Sequence, residues 1–371
     1  MSIEGDEISV IIQGPFYQDI TPTAIANAKA LLPGCEVIFS TWKGEKLNLD
    51  ENVKVIVQND PGSTVLSVEQ KYRHIKLDNC NRQIKSTRGG IEIASRKYNI
   101  KQRSDMVLYD TNFIDHYLFY QRFPRKVPFF KNRIVCNSSG TVDPRIGSVA
   151  HPGDFFFFGL AEDIRSLFDV PVYLPRSVAA EEWAGSPVTA VWGASFAKKF
   201  RGHFCPEMHI WAHHLEKHYG VQVRSIYDYS DELVQITLDS FVDNFIFLDD
   251  GQIGIDAVRH RNYGIENYWR NVDNKSWNTL LRERFGGDVT FPNESDQFKY
   301  AGYKTVFDYK QHVAKLNLKN ETKIFDKIIY LKNKIISKFL KYFIKRKKIK
   351  QFGYHLYLLG RRDTFYRKKC H

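Results

Sequence analysis

The sequence has no apolar run approaching the roughly 18 residues of a membrane-spanning helix, no Cys-x-x-Cys pair, and no internal repeat or low-complexity linker before residue 320. The first absence excludes a helical integral membrane protein. The five cysteines, Cys35, Cys80, Cys136, Cys205 and Cys370, are scattered and odd in number. They exclude a disulfide framework and show no metal-ligand spacing, so free thiols in a reducing compartment are expected. The opening Met-Ser-Ile-Glu-Gly-Asp-Glu is acidic and no apolar core follows it. No secretion signal is therefore expected, and the chain reads as cytoplasmic.

At 371 residues, 43% of them hydrophobic, the chain can bury a substantial core and hold two modest domains, or one large domain with an appendage. Its net charge of +12 is unevenly placed: residues 323–371 carry 16 Lys+Arg against Asp326 and Asp363, and the rest holds 38 basic and 40 acidic residues. The basicity belongs to the tail. On a helical wheel over 324–344, ten large apolar residues from Ile324 to Phe343 gather on one half and five lysines on the other, with Lys332 the intruder. Lys345-Arg346-Lys347-Lys348, an aromatic patch over 352–359 and Arg361-Arg362 follow. A basic amphipathic helix in an anionic membrane interface fits this pattern best. Nucleic-acid binding would leave the apolar face unused, so no nucleic-acid partner is expected. A helix paired with a partner protein is the third reading.

Along the body, 8–13 is an apolar run that breaks at Gly14-Pro15, and Thr21-Pro22 offers an N-cap with proline at the first helical position. Strands are expected at 36–40 and 53–57, the latter closed by Asp60-Pro61-Gly62. A helix over about 79–98 precedes a strand that delivers Asp105. Later come a helix over 112–121, strands at 133–136 and 154–159, a helix through Phe168, and a helix over 206–219 ended by Gly220. Strands are also read at 233–238 and 244–248, with Asp249-Asp250-Gly251 as a hairpin turn. Such alternation predicts an α/β fold, a mostly parallel twisted sheet with helices on both faces and the basic amphipathic helical tail appended. Ligands of such sheets sit at the carboxyl ends of the strands, where Asp105, flanked by Arg103, presents a carboxylate. His209 and His213 have zinc-compatible spacing, but no third ligand is evident and core or surface histidines are the better reading.

Five ordered blocks resemble the WavE-like family of lipopolysaccharide-synthesis proteins, glycosyltransferases of the GT-A type. They are Ile-Ser-Val-Ile-Ile-Gln-Gly-Pro (8–15), Pro-Gly-Cys-Glu-Val-Ile-Phe-Ser-Thr-Trp (33–42), Asn-Asp-Pro-Gly (59–62), Asn-Arg-Gln-Ile-Lys-Ser-Thr (81–87) and Lys-Gln-Arg-Ser-Asp (101–105). Weaker matches at 151–154, 158–159 and 206–207 carry the likeness to about residue 220. The resemblance implies a GT-A-like domain, with residues 1–125 binding a nucleotide-sugar donor, 126–320 binding the acceptor and 321–371 serving membrane association. It implies transfer of a sugar to a lipid-linked or oligosaccharide acceptor of lipopolysaccharide core, O-antigen or capsule, by an enzyme peripheral on the inner face of the cell membrane. A sugar nucleotidyltransferase of similar fold and a non-catalytic scaffold of glycan assembly are the rival readings.

Within that frame Gln13, Gly14 and Pro15 are placed against the base, with Asp60 accepting from base or ribose. Arg82, with Gln83 at a helix start, is the diphosphate clamp. The Asp-x-Asp signature of GT-A enzymes is reduced here to Arg103-Ser-Asp105. Asp105 is thus a single candidate ligand for Mg²⁺ or Mn²⁺, and Arg103 an alternative source of positive charge. If the reaction inverts the anomeric carbon, a base must take the acceptor's proton. Glu207 and then Asp154 are the carboxylates chosen for it.

Overall fold

The computed structural model describes residues 2–69, 74–145, 148–173, 204–224, 228–259, 271–286 and 291. All belong to one unit, Met1–Thr305. The tail, with the amphipathic helix expected in it, lies outside the described residues.

Seven strands form the central sheet: β1 (Ile8–Gln13), β2 (Glu36–Trp42), β3 (Lys54–Gln58), β6 (Tyr98–Arg103), β8 (Ile134–Asn137), β9 (Phe156–Leu160) and β10 (Phe245–Leu248). Their order is β10-β8-β9-β6-β1-β2-β3. Every pairing is parallel except those of β9, which runs against both β6 and β8. The mostly parallel α/β sheet expected from the alternating pattern is present. Residues 64–78 form an antiparallel hairpin, β4 (Thr64–Glu69) and β5 (His74–Asp78), which the sequence reading passed over. The two-residue β7 (Val107–Leu108) pairs with β11 (Ile255–Asp256).

The phenylalanine run explains how both faces of the sheet are covered, because alternate strand residues point opposite ways. Phe156 and Phe158 lie 5.2 and 4.9 Å from Phe113 of α3 (Phe113–Tyr120). Phe157 points the other way, 5.8 Å from Phe168, which caps α4 (Ala161–Leu167). On that second face α5 (Pro206–Tyr219) sets Trp211 4.5 Å from Phe245. Helix α2 (Cys80–Ile93) lies against β1 closely enough that a Cβ on Gly90 would come within 2.3 Å of Ile11.

Several boundaries differ from the sequence reading. Thr21 is not the cap of α1 (Thr21–Leu31) but its first residue. Its hydroxyl accepts from Tyr17 N–H and donates to the Ser104 carbonyl, tying the loop after β1 to the loop after β6. Helix α2 stops at Ile93, so 94–97 is a connection and not a helix. Residues 233–238 are not a strand but part of α6 (Asp231–Asn244), capped by Ser230 accepting from Leu233 N–H. Asp249-Asp250-Gly251 is not a hairpin turn: Asp249 caps α7 (Asp250–Ile253), its N–H donating to Gln252. Helix α8 (Asn274–Phe285) completes the described elements.

Two core histidines make this fold acid-sensitive. Burial lowers His116 to about 4. It lowers His214 to about 4 as well, against the pull of the Leu167 carbonyl that this ring meets at 3.1 Å. A folded-state pKa below the unfolded value of about 6.5 means that the unfolded chain binds more protons between those limits. Stability is then full above about pH 6.5 and falls as pH drops toward 4, by on the order of several kcal/mol for the pair. Thermal melts from pH 7.5 to 4.5 should show a steady loss in Tm, less steep in His214→Gln. A flat profile contradicts the assignment.

Candidate active site

Strand order reverses between β1 and β6: from β1 the chain adds β2 and β3 on one side, then crosses to place β6 on the other. In an open parallel sheet the connections that follow two such strands run to opposite sides and leave a crevice at the carboxyl ends. A cavity of about 290 Å³ occupies this place, near the lower end of the roughly 300–1,000 Å³ typical of ligand sites. Gln13, Gly14, Pro15, Asp60, Arg82, Gln83, Arg103 and Asp105 all line it. The eight residues chosen from sequence for donor binding are therefore brought to one cavity from four separate segments. Tyr17, Trp42, Glu45, Asn79 and Ser104 complete the lining. Trp42 and Ser104 lay inside quoted blocks, at a strand end and beside Asp105. Tyr17 and Glu45 carried no signal, being loop residues whose position depends on the fold.

The backbone sets the walls. Gly14 N–H donates to Ser40 O at 3.0 Å and Ser104 N–H to Gln13 O at 2.9 Å, so both loops leave the sheet in register. Gly14 has φ +128°, and a Cβ there would approach Ser104 Oγ to 2.7 Å. This position needs glycine on both counts. Gln83 is buried, and its Nε2 has no hydrogen-bond partner among the described residues.

Two arginine–carboxylate forks face the cavity. Arg82 Nε and Nη2 donate to the two oxygens of Asp60 at 2.7 and 2.6 Å. Arg103 Nε and Nη2 donate to those of Asp105 at 3.0 and 2.9 Å. The Arg82 hydrogen bonds hold the Asp60 carboxyl below its ordinary pKa. Burial works against the charge of Arg103, yet Asp105 keeps its pKa above the ordinary value. The clamp chosen from sequence is thus bonded to another chosen residue in this state. With Glu45 the lining holds two arginines against three carboxylates, and Arg259, outside the lining, sets its guanidinium 4.6 Å from the Tyr17 ring.

Glu207 and Asp154 do not line this cavity. They meet each other, close to Lys101 and Arg103 of β6. Asp154 is buried, on a loop fixed by Asn137 Oδ1 accepting from Phe155 and Phe156 N–H at 3.0 Å each. Glu207 stands in the first turn of α5. Burial, then the charge of Asp154, raises Glu207 to about 8, although the helix start favours its ionised form. Glu207 as a residue is partly exposed, but its Oε2 is buried and has no hydrogen-bond partner among the described residues.

Lys101 belongs to this cluster and was not singled out from sequence. Its side chain is fully buried, its Nζ donates to the Asp154 carbonyl, and the Phe157 ring lies 5.5 Å away. Burial lowers its amine to about 8, with Asp154 pulling the other way. The available signal was strand parity: two residues before Arg103, Lys101 must share its face. His209 and His213–His214 hold no metal cluster among the described residues. His209 Nε2 instead meets Pro171 O at 2.8 Å.

The family model for WavE lipopolysaccharide synthesis matches residues 8–311, which spans the cavity, the buried acid pair and the whole central sheet. The chain belongs to the WavE family. Membership places it in lipopolysaccharide synthesis, and extends the likeness seen in the sequence blocks well past residue 220. Searched against curated proteins, this WavE-family chain finds no match. Among the described residues, no helix is long and apolar enough to cross a membrane.

Proposed function

We propose that this WavE-family protein is a glycosyltransferase that binds a nucleotide-sugar donor in the cavity between β1 and β6. One observation carries the reading: the cavity lies at the switch point of the sheet and is faced by two arginine forks, with glycine backbone on one wall. A diphosphate suits that lining. Each guanidinium can exchange a carboxylate for two phosphate oxygens with little change in geometry. The Gln13 and Gln83 amides are set to read a base or ribose.

A divalent cation also fits the donor set. The lining carries two arginines against three carboxylates, so an incoming diphosphate adds negative charge that the protein alone does not neutralise. A carboxylate held by a guanidinium fork, as Asp105 is, can also bridge to a divalent cation. Asp105, with Asp60 or Glu45, would hold Mg²⁺ or Mn²⁺, which supplies charge stabilisation to the departing diphosphate. Arg103 and Arg82 orient the phosphates in either case.

For the acceptor's proton we assign the Asp154–Glu207 pair. Asp154 couples electrostatically to Arg103, and through it to the cavity. Asp154→Asn or Glu207→Gln should each lower turnover about a hundredfold with donor affinity unchanged. Turnover within a few-fold of wild type in both variants makes the pair structural. The acceptor, on this reading, is lipid-linked or an oligosaccharide, and residues 323–371 bring the enzyme to the anionic inner face of the membrane.

A thermal-shift screen against UDP-, GDP-, CMP- and dTDP-sugars, with and without Mn²⁺, tests the central claim. One nucleotide should raise Tm, more strongly with Mn²⁺, because a ligand at 100 times its Kd adds about 2.7 kcal/mol. No shift with any of the four favours the scaffold. A nucleotidyltransferase would instead respond to a nucleoside triphosphate and a sugar phosphate.

A further inference from the structure

Outside the lining of the donor cavity, three residues of different chemistry converge. One ligand atom each from His151, Cys205 and Glu207 lies within 4.8 Å of the other two. They come from two segments far apart in sequence. His151 follows Ala150, which holds φ +53°. Cys205 is the N-cap of α5, and Glu207 lies in its first turn.

We infer that His151, Cys205 and Glu207 form a binding site for a zinc-type divalent ion, separate from the cation position at Asp105. The donor set is imidazole, thiolate and carboxylate, which is the choice of a borderline-soft cation and not of Mg²⁺ or Mn²⁺. Four-coordinate zinc has bonds of about 2.0–2.3 Å, which sets ligand atoms roughly 3.3–3.8 Å apart. The observed spread therefore closes with side-chain shifts of about an ångström. Three protein ligands leave the fourth position to water, as in zinc sites that are not purely structural.

A second observation points to a ligand here. Glu207 Oε2 is buried without a geometric hydrogen-bond partner among the described residues, and the neighbours its carboxyl meets are the Cys205 thiol and the Asp154 carboxyl, where a cation would take the place of a shared proton. Lys101 and the positive end of α5 oppose a cation at this place. The thiolate, the Glu207 carboxylate and neighbouring Asp154 outweigh them in charge. Burial pushes the Cys205 thiol up, so binding must displace its proton. With the ion bound, Glu207 is a ligand, and Asp154 is the carboxylate of the pair left to receive a proton. The site stands on its own geometry and does not depend on the donor assignment.

The test uses the full chain, stripped of metal and then dialysed against Zn²⁺ or Co²⁺. One Zn²⁺ per chain should remain, and the Co²⁺ form should show a thiolate-to-cobalt charge-transfer band with the visible bands of four-coordinate cobalt. Cys205→Ser should abolish that charge-transfer band, and His151→Ala should weaken Zn²⁺ at least tenfold. Cys136→Ser and Asp105→Asn should leave both signals as in wild type. Circular dichroism establishes that each variant is folded, and wild-type Zn²⁺ stoichiometry tests whether the site exists without any variant. Wild-type protein without stoichiometric Zn²⁺, or a charge-transfer band that survives in Cys205→Ser, overturns the inference. Loss of binding in Asp105→Asn overturns it too, by placing the ion in the donor cavity.

Discussion

Asp105→Asn should reduce sugar transfer at least about a thousandfold while leaving the protein folded. A thousandfold loss corresponds to about 4 kcal/mol of transition-state stabilisation, and two effects combine to reach it. Asp105 accepts from Arg103 through both oxygens, so the amide leaves one guanidinium N–H facing an –NH₂ and lets the fork swing from its place. The amide also removes the negative charge that a divalent cation requires. Stability should suffer less. Asn keeps the shape and one acceptor, and the Arg103 side chain is 28% exposed, so water can meet the freed donor. A cost of about 1–3 kcal/mol is expected, below the roughly 3–5 kcal/mol of a fully buried pair broken on one side. Donor affinity by calorimetry and transfer by product formation separate the two effects. Activity within tenfold of wild type in the folded variant removes Asp105 from the chemistry.

The second large effect concerns the basic tail. Replacing Lys345, Arg346, Lys347 and Lys348 together with glutamine should weaken binding to anionic vesicles by about three orders of magnitude. Each basic side chain near an anionic leaflet contributes about 1 kcal/mol, and about 1.4 kcal/mol is a factor of ten. Binding of the wild-type chain should fall with added salt, because the attraction is screened within about 8–10 Å at physiological ionic strength. Transfer to a soluble acceptor should be unchanged in the variant, whereas transfer to a lipid-linked acceptor should drop. Equal vesicle binding by variant and wild type excludes the anchor role of this cluster.

The sheet was legible because its strands are short apolar runs ended by turn residues: Gly14-Pro15 after β1 and Asp60-Pro61 after β3. The cavity was legible because strand ends in such a sheet converge, so blocks far apart in sequence had to meet. Residues 233–238 misled because Val234, Ile236 and Leu238 alternate with polar residues at strand spacing. The better signal lay upstream, in Ser230 followed by two acids, the mark of a helix start. Asp249-Asp250-Gly251 misled in the same way, since Gln252 completes a cap that the turn reading ignored. The pairing of Arg82 with Asp60 was out of reach, because both were read as contacts to a ligand and not to each other. The meeting of Asp154 with Glu207 depends on how β9 and α5 pack, and no local pattern encodes that.

Strand β9 enters the sheet against the direction of its neighbours, and this has a consequence for synthesis on the ribosome. By residue 105 the chain can already assemble β3-β2-β1-β6 and both forks. The free edge of β6 then waits for 156–160 to emerge, with the Lys101 amine bare on one face. An open edge of this kind recruits foreign strands, and its closure is slow because the partner lies far along the chain. Severed near residue 125, the segment holding β1 and β6 would keep its crevice but carry an adhesive flank. The described residues belong to one compact unit, and a fragment ending near residue 125 should aggregate unless β9 is supplied with it.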